Sequence, residues 1–444
     1  MEGVREYVGF MNARGLVLEI EDTVPRADIP ALIDLLSDRE RVLLFRRVEG
    51  YKCSVVANLV PSHDALSVAL GSGDSYKTFL DGIKKRQKKI PVEREDLETV
   101  DMTERDLLSV LPILKHYEGD SAPFITTGVV SSKDPDTGIA GRGVHRMEYR
   151  GANRLGVTLL NPPLSDIFAR YKAKGQPMPL TVTLGVDPVM FLSMALKAGP
   201  DTDKLEIAGG LKGKGIKVMA SLDSSIDVPA GAEFYLEGYV DPDDRRRDGP
   251  LGEISGYYMT IEETPTMVVK KLSHRVSPLY HALLPTSREG DAYLTFVSRA
   301  HVEDNVKKLF PFIQDLSFVR GTFGSSVVVS VGPAESTKIR SLVLSMMAFP
   351  MIKKVTVVDV DVDPHDLRDV EWAVVTRCMA DRDVIIIPAL QGQPIDPSAS
   401  EGHGVTKMGI DATTQGKNIE PRARIAAGNR TGIERIVRHI GGVE

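Results

Sequence analysis

Two carboxylates flank a glycine-proline turn in the middle of the chain. The segment from Asp248 to Glu253 reads DGPLGE, so the two acids stand five residues apart. On a straight strand an odd spacing places two side chains on opposite faces, but the Gly-Pro-x-Gly kink allows both carboxylates to converge on one pocket. The pKa values of paired carboxylates in a partly dry pocket separate, which lets one of them hold a proton near neutral pH. The alternative is an exposed acidic tip of a hairpin.

A glycine-rich segment from Gly141 to Met147, GRGVHRM, is the second candidate for chemistry. Alternating glycines let a backbone approach a ligand closely, and an arginine there can bind a carboxylate or a phosphate through two N–H groups. The alternative is a glycine-rich β-turn with arginines on the surface.

Three basic features could bind anions. Lys407 stands beside a glycine turn in the segment TKMGIDA and could bind a phosphate as a point charge, unless it belongs to an ordinary loop. The run from Lys84 to Lys89 favours a solvated helix face, and a docking surface for an anionic partner is the alternative. The run from Arg245 to Arg247 precedes Asp248 and either binds an anionic substrate or lies in a solvated hairpin.

The composition argues against several classes of protein. The chain has 444 residues and a formal net charge of −6, which disfavours a general nucleic-acid binder. Its two cysteines, Cys53 and Cys378, are too few for a disulfide framework and fit a reducing compartment. Its histidines form no HExxH pattern, and the sequence has no phosphate loop and no dinucleotide-binding GxGxxG after a strand. Without a signal-like or membrane-length apolar run, we expect a cytoplasmic protein with no membrane partner.

The elements that must position these residues fall into three regions. Residues 1–110 predict an N-terminal α/β region, with a helix after Asp28 and a buried strand from Val42 to Phe45. Residues 111–300 alternate β-type runs with glycine and proline turns, which predicts an antiparallel sheet or barrel. Its predicted strands are 181–184, 217–220, 233–240, 257–260, 266–272 and 293–297, with a helix around 189–197.

Residues 301–444 predict an α/β domain with a mostly parallel sheet, because strands and helices alternate there. A helical stripe runs from Val302 to Ile313. Further strands are predicted at 327–331, 354–360 and 384–387, and further helices at 339–346 and 367–379. The C-terminal residues predict a mobile tail or an arm that crosses to another subunit.

Taken in order, the motifs resemble those of the UbiD family of prenylated-FMN-dependent decarboxylases, from about residue 40 to about residue 415. The segment DGPLGE with Gly256, Tyr257 and Tyr258 behind it is similar to the family pattern EGPxG(D/E)xxGYY. Other similar segments are TLGVDP from Thr183, VPAGAE from Val228, LEG from Leu236, YH from Tyr280, WA from Trp372, TR from Thr376 and KMGIDA from Lys407.

The resemblance implies a central split β-barrel that holds the flavin, between the N-terminal α/β region and a C-terminal α/β oligomerisation domain. It implies a catalytic set of Arg146, Asp248 and Glu253, in which Asp248 replaces the usual glutamate. Arg146 would hold the substrate carboxylate, Asp248 would pair with Arg146, and Glu253 would protonate the carbon that loses CO2. The cofactor-binding residues implied by the resemblance are Thr126, Val144, His145, Arg146 and Lys407, the last at the cofactor phosphate.

The family also binds a divalent metal, usually manganese, through an Asn, a His and a Glu. The Asn position is Gly141 here, no histidine stands near Asn161 to Ser165, and the glutamate is retained as Glu206. The resemblance therefore implies a site that is weakened or rebuilt, with His145 or Asn161 beside Glu206, because oxygen ligands and an imidazole suit manganese.

With arginines directly before Asp248 that would suit a phosphorylated substrate, the chain resembles the archaeal branch of the family that converts trans-anhydromevalonate 5-phosphate into isopentenyl phosphate in isoprenoid biosynthesis. An aromatic acid decarboxylase, such as one acting on polyprenyl-4-hydroxybenzoate, is the alternative. A non-enzymatic flavin-binding protein is a second alternative, because the metal-ligand pattern is incomplete. The resemblance implies a flavin prenyltransferase as cofactor supplier, and a homo-oligomer, either a dimer or a hexamer.

Overall fold

The computed structural model describes residues 1–71, 73–94, 96–199, 201–222, 226–399 and 404–423. It is a mixed α/β protein in which a large curled antiparallel sheet lies between two smaller α/β parts, as the sequence predicts. The tail or arm is predicted for about the last 50 residues. Of these, Val405–Ala412 form a strand of the C-terminal sheet, so this part is not a tail, and residues 400–403 and 424–444 lie outside the described residues.

The N-terminal region builds a four-stranded sheet in the order β1-β2-β3-β16. Strands β1 and β2 are parallel, β2 and β3 antiparallel, and β3 and β16 parallel. The predicted helix after Asp28 and the predicted strand at Val42 are both confirmed. The elements are α1 Val4–Asn12, β1 Val17–Val24, α2 Ile29–Leu36, β2 Val42–Val48, β3 Ser54–Ala57, α3 His63–Leu70, α4 Ser75–Lys84, β4 Ile90–Pro91 and β5 Glu98–Asp101.

The central region forms one antiparallel sheet in the order β6-β9-β10-β15-β14-β11-β7-β8, with β5 paired to β15. Its strands are β6 Phe124–Ile125, β7 Val129–Lys133, β8 Ala140–Val144, β9 Met147–Tyr149, β10 Arg154–Val157, β11 Met178–Leu184, β14 Phe234–Gly252 and β15 Tyr258–His274. The remaining elements are α5 Leu164–Ala173, α6 Pro188–Ala195, α7 Lys204–Lys212, β12 Lys217–Ala220, β13 Asp227–Pro229, β16 Leu279–Ala282 and α8 Arg288–Asn305.

Both faces of the central sheet are covered by apolar residues. Successive side chains of a strand point to opposite faces, and Val129 and Val130 of β7 accordingly enter two different hydrophobic cores. Tyr235 and Leu236 of β14 divide in the same way. The sheet is therefore a rigid frame, and residues at its strand ends are held in fixed positions.

Two sequence predictions near residue 300 are wrong. The run from Tyr293 to Val297 is not a strand but part of α8, where Tyr293, Phe296 and Ala300 form one buried face at helical spacing. The Ser287 side chain caps this helix by accepting a hydrogen bond from the Gly290 N–H at 3.5 Å, which favours helix despite the β-type composition. The predicted helix from Val302 to Ile313 is also wrong, because α8 ends at Asn305 and Ile313 begins a strand.

The C-terminal domain carries a five-stranded sheet in the order β17-β18-β19-β21-β20. Its three central strands are parallel, and each edge strand runs antiparallel to its neighbour. The elements are β17 Ile313–Phe318, β18 Ser326–Val331, α9 Ser336–Met347, β19 Lys354–Asp359, α10 Leu367–Arg377, α11 Ala380–Asp383, β20 Val384–Leu390 and β21 Val405–Ala412.

Candidate active site

A cavity of about 1040 Å³ opens where the central sheet meets α6, α8 and the C-terminal domain. This volume is at the upper end of the range for small-molecule sites, about 300–1,000 Å³. It leaves room for a cofactor together with a small substrate. Residues from the three parts that line it include Thr126, Val144, His145, Arg146, Phe191, Leu251, Glu253, Tyr293, Leu294 and Met351.

Arg146 joins the two predicted carboxylates on the wall of this cavity. Its Nε and Nη2 donate to Oδ1 of Asp248 at 3.0 and 2.6 Å, and its Nη1 donates to Oε1 of Glu253 at 2.6 Å. Arg146 and Asp248 are 102 positions apart in the sequence. The structure therefore brings together the three residues that the sequence predicts as the catalytic set.

A strand irregularity places Asp248 and Glu253 on the same side. Strand β14 pairs with β15 as Asp248 with Ile261 and then Leu251 with Met259, so the register shifts between the two pairs. An extra residue on one strand changes the alternation of faces, and this cancels the odd spacing of the two acids. This register agrees with the prediction that the Gly-Pro kink breaks the alternation of faces. The alternative, an exposed acidic hairpin tip, is wrong for Asp248, whose exposed fraction is 0%.

The glycines of this segment are required by their surroundings. Gly249 has a φ of +92°, and a Cβ added there would lie 2.6 Å from the carbonyl oxygen of Met259. A Cβ added at Gly252 would lie 2.3 Å from the ring of Tyr117. Only a residue without a side chain fits at either position, so the sharp turn between the two acids depends on both glycines.

Burial and the neighbouring arginine act in opposite directions on the pKa of Asp248. Loss of solvation raises the pKa of Asp248 above its ordinary value, and the guanidinium of Arg146 opposes that rise. The second oxygen, Oδ2, is buried and has no hydrogen-bond partner in the described part of the chain. Glu253 differs, because its side chain is 22% exposed and faces the cavity.

The glycine-rich segment holds both of its arginines inside the protein. Arg146 lies between β8 and β9, and its main chain is fixed on both sides, by His145 N–H donating to Gly128 O at 3.1 Å and by Thr158 N–H donating to Arg146 O at 3.4 Å. Arg142 is buried and bonds Asp203 through two nitrogens. The alternative of a turn with surface arginines is therefore wrong.

Four of the five predicted cofactor-binding residues line the cavity, namely Thr126, Val144, His145 and Arg146. The hydroxyl of Thr126 donates to Leu283 O at 2.7 Å. Sequence analysis missed Thr158, which also lines the cavity and whose buried hydroxyl has no partner among the described residues. Its position directly after β10 was the available signal, because a polar residue at a strand end is a frequent ligand contact.

Lys407, the fifth predicted residue, is not brought to the cavity. Its buried ammonium donates to the carbonyl oxygens of Met347 and Phe349 at 2.9 and 2.7 Å, at the end of α9. Burial lowers the pKa of this lysine. Two of the three N–H donors of the ammonium bond main-chain carbonyls, and Lys407 is not among the cavity-lining residues. The structure therefore gives Lys407 a structural place and no contact with the cavity.

Of the predicted manganese ligands, His145 and Asn161 line the cavity, whereas Glu206 does not. Nδ1 of His145 lies 2.6 Å from the carbonyl oxygen of Thr158, so Nδ1 carries the proton, and burial lowers the pKa of this histidine to about 4. Glu206 lies in the first turn of α7 and is not among the cavity-lining residues. Within the described ranges, no group of three or more His, Cys, Asp and Glu side chains could hold a metal ion. The residues present do not fit the metal site that the resemblance implies.

The cavity is lined by more cations than acids. Lys84, Arg86 and Lys197 reach it together with Arg146, whereas Glu253 is the one acidic side chain in the described lining. Lys84 and Arg86 of the basic run thus face the cavity, so the run is not only a solvated helix face. Sequence analysis missed Lys197, which follows α6 without any recognisable motif.

The run from Arg245 to Arg247 does not reach the cavity lining. Arg245 pairs with Glu263 and Arg246 pairs with Asp244 on the exposed part of the β14–β15 ribbon. These arginines are solvated hairpin residues and do not support a phosphorylated substrate.

Within the described ranges, no helix combines the length and the apolar character that a membrane crossing requires.

Two family models match most of the chain. The model of the 3-octaprenyl-4-hydroxybenzoate carboxy-lyase Rift-related domain, named UbiD, matches residues 84–288. The model of the C-terminal domain of the same carboxy-lyase matches residues 293–412. Together they include Arg146, Asp248 and Glu253 and the cavity-lining residues of α8 from Tyr293 onwards.

The curated relatives of this chain include decarboxylases that act on different kinds of substrate. An anhydromevalonate phosphate decarboxylase from Methanosarcina mazei is 30% identical over 420 residues, which cover 92% of this chain and 95% of the relative. A phenolic acid decarboxylase from Bacillus subtilis is 29% identical over 441 residues, which cover 92% of both chains.

Solved structures support the same family. The UbiD-class enzyme HmfF from Pelotomaculum thermopropionicum, in complex with FMN, is 28% identical and superposes with a TM-score of 0.90 over 98% of this chain and 99% of its own. An evolved dimeric form of the same enzyme, in complex with prenylated FMN, is 27% identical with a TM-score of 0.86 over 98% of both chains. This chain belongs to the UbiD family of carboxy-lyases, and it is a decarboxylase.

Proposed function

We propose that this protein is a prenylated-FMN-dependent decarboxylase of an α,β-unsaturated acid, and that the acid is trans-anhydromevalonate 5-phosphate, converted into isopentenyl phosphate for isoprenoid biosynthesis. The observation that carries the proposal is the bridge from Arg146 to Asp248 and Glu253 on the wall of a basic cavity. A flavin prenyltransferase would supply the cofactor.

Arg146 is positioned to hold the substrate carboxylate. A guanidinium has five N–H donors, and four of them are used by Asp248, Glu253 and the carbonyl of Met259. The remaining N–H, on Nη1, is available to a carboxylate in the cavity. A charge-assisted hydrogen bond of this kind is stronger than a neutral one and fixes the orientation of the acid.

Glu253 is the proposed proton donor to the carbon that loses CO2. It is the acidic side chain of the described lining, and its bond to Nη1 of Arg146 places it next to the substrate carboxylate. Asp248 positions Arg146 from behind. Because Asp248 is fully buried, it holds the guanidinium in place without meeting the substrate.

The cavity suits a flavin. Prenylated FMN, when bound, supplies a ring that accepts electrons as the bond to the carboxylate breaks. Thr126, Val144, His145 and the unpartnered hydroxyl of Thr158 would contact it, since all four residues line the cavity. The apolar rings of Phe191 and Tyr293 would exclude water from the reacting carbon.

The cationic lining favours a phosphorylated substrate over a neutral one. Lys84, Arg86 and Lys197 form no ion pair with a described residue, and they line the same cavity as Arg146. Together with the relative that acts on anhydromevalonate phosphate, this supports a substrate with a carboxylate at one end and a phosphate at the other.

The substrate is tested with holoenzyme made by co-expression with a flavin prenyltransferase. We expect release of isopentenyl phosphate from trans-anhydromevalonate 5-phosphate, and at least a tenfold lower kcat/KM for the dephosphorylated acid and for 4-hydroxybenzoate. Lys197→Met should remove the preference for phosphate, whereas Lys172→Met on the exposed face of α5 should keep it. Equal or faster turnover of 4-hydroxybenzoate would reject the phosphorylated substrate and leave the decarboxylase assignment intact.

An aromatic acid decarboxylase is the second candidate. The aromatic side chains of Phe191 and Tyr293 lie in contact, with ring centroids 4.9 Å apart, and both line the cavity. The similarity to a phenolic acid decarboxylase supports the same alternative.

We also propose that the protein assembles through its C-terminal domain as a dimer or a hexamer. Val375 on α10 and Ile386 on β20 are 72% and 65% exposed, which is a reason for association of apolar surfaces. Light scattering on the purified protein measures the oligomer, and a monomer at micromolar concentration would reject this proposal.

A further inference from the structure

A buried charge cluster lies behind the cavity wall that His145 and Thr202 form. Asp203 accepts hydrogen bonds from Arg142 at 2.7 and 3.2 Å and from Lys89 at 3.0 Å. Lys89 also donates to Asp227 at 2.5 Å. Two cations and two carboxylates therefore neutralise each other in this network.

Lys204 adds a third cation to this cluster. The residue is 5% exposed, and its ammonium donates to the carbonyl oxygen of Met194 at 2.8 Å. It forms no ion pair with a described residue, although the neighbouring Asp203 forms several. A buried charge without a counter-charge is unfavourable, and burial lowers the pKa of Lys204 to about 8. A bound anion would therefore stabilise the charged form of this lysine.

The position of Lys204 connects this charge to the cavity. Met194, whose carbonyl accepts from Lys204, directly precedes the lining segment 195–199, and Thr202 lines the cavity two residues before Lys204. Lys204 is not itself a cavity-lining residue, so its ammonium lies behind the part of the wall that these neighbouring residues form.

We propose that the buried ammonium of Lys204, and not a divalent metal ion, supplies the positive charge that holds the phosphate of the flavin cofactor. The inference rests on the proposed flavin-dependent function and departs from the manganese site that the resemblance implies. The acids needed for a metal are not assembled around His145 in the described part of the chain. In a low-dielectric environment a fixed ammonium attracts a phosphate by its charge. Unlike a metal ion, it does not need several ligands in a defined coordination geometry.

The proposal is tested by binding of FMN to apo-protein after dialysis against EDTA, followed by flavin fluorescence. We expect FMN to bind without metal, added Mn²⁺ to change its Kd by less than twofold, and metal analysis of the purified holoprotein to give far less than one manganese per chain. Riboflavin, which lacks the phosphate, should bind more weakly than FMN.

Lys204→Met should weaken FMN binding at least tenfold and leave riboflavin binding unchanged, and Lys204→Arg should retain FMN binding. Lys214→Met, on the exposed surface near the end of the same helix, is the matched control and should bind FMN as the parent does. A thermal melt of each variant reports folding, and Lys204→Arg keeps the test meaningful if the methionine variant is unstable.

FMN binding that requires Mn²⁺, or a Lys204→Met protein with unchanged FMN affinity, would overturn the inference and leave the proposed decarboxylase standing. Failure of the parent protein to bind FMN with or without Mn²⁺ would instead overturn the proposed flavin-dependent function.

Discussion

Asp248 and Glu253 accept hydrogen bonds from different nitrogens of one guanidinium, although five positions on a regular strand would turn them to opposite faces. The register of β14 against β15 shifts between Asp248 and Leu251, and this shift turns both carboxylates to the same side. One carboxylate is buried behind Arg146 and the other faces the cavity. The same short motif therefore supplies a positioning acid and an acid that can meet a substrate.

Replacing Glu253 by glutamine should stop turnover and spare the cofactor. The amide retains an oxygen acceptor for Arg146, but its N–H groups are not acidic enough to transfer a proton, so we expect kcat to fall by about 10²–10⁴-fold. Decarboxylation is followed by product release, and bound cofactor by its visible absorption. Glu262→Gln, at an exposed position on β15, should retain full activity. An active Glu253→Gln enzyme would exclude Glu253 as the proton donor.

Removing the Arg146 charge should destabilise the fold through Asp248. Arg146→Met leaves a fully buried carboxylate without its cation, which costs about 3–5 kcal/mol. The double variant Arg146→Met with Asp248→Asn removes both charges and should recover most of this loss, while both variants remain inactive. Denaturant unfolding measures the free energies. If the double variant is no more stable than the single one, the buried pair is not the cause.

Gly249→Ala should separate the two carboxylates. Its Cβ would lie 2.6 Å from the carbonyl oxygen of Met259, so the β14–β15 register must shift locally. We expect the free energy of unfolding to fall by several kcal/mol and the decarboxylase activity to be lost. Gly256→Ala is the matched control, because Gly256 has a similar φ of +80° but open space around its Cβ, and it should cost about 1 kcal/mol. Equal effects of the two substitutions would contradict the steric explanation.

Asp291 should make the protein less stable at high pH than at low pH. Burial raises its pKa from 3.8 to about 6, so the folded state holds this proton more tightly than the unfolded state. The contribution of Asp291 is therefore most favourable below pH 4 and is lost as the pH rises towards 6. Asp291→Asn should increase the free energy of unfolding at pH 8 by about 1–3 kcal/mol.

The same variant should differ little from the parent protein at pH 4, because the parent carboxyl is then protonated. Urea unfolding at both pH values provides the comparison. A variant that is less stable than the parent at pH 8 would contradict the prediction.

Lys407→Met should reduce stability without changing cofactor affinity. The ammonium bonds two carbonyl oxygens at the end of α9, and hydrogen bonds from a charged donor contribute about 1.5–3 kcal/mol. FMN titration of the folded variant should give the parent Kd, and Lys338→Met on the exposed face of α9 should change neither quantity. A tenfold loss of FMN affinity would restore the phosphate role that the sequence motif predicts.

The sequence by itself determined the features that depend on neighbours along the chain. The glycines around Pro250 predict the kink, the periodicity of residues 339–346 predicts α9, and alternating strands with turns predict the large antiparallel sheet. These signals are local, because backbone geometry and side-chain period are set within a few residues. The run from Tyr293 to Val297 shows where such local signals fail. Its β-type residues lie in a helix, because the helix cap and the buried helix face decide the conformation there.

The tertiary structure decided which charges meet. Arg146 bonds carboxylates more than 100 positions away, Lys197 faces the cavity without a motif, and Lys407 is held by α9 despite its resemblance to a phosphate ligand. Lys204 has no carboxylate partner among the described residues, and the adjacent Asp203 pairs with Arg142 and Lys89 instead. Burial and ion pairing depend on sheet register and on packing between distant segments, and a local sequence pattern contains neither.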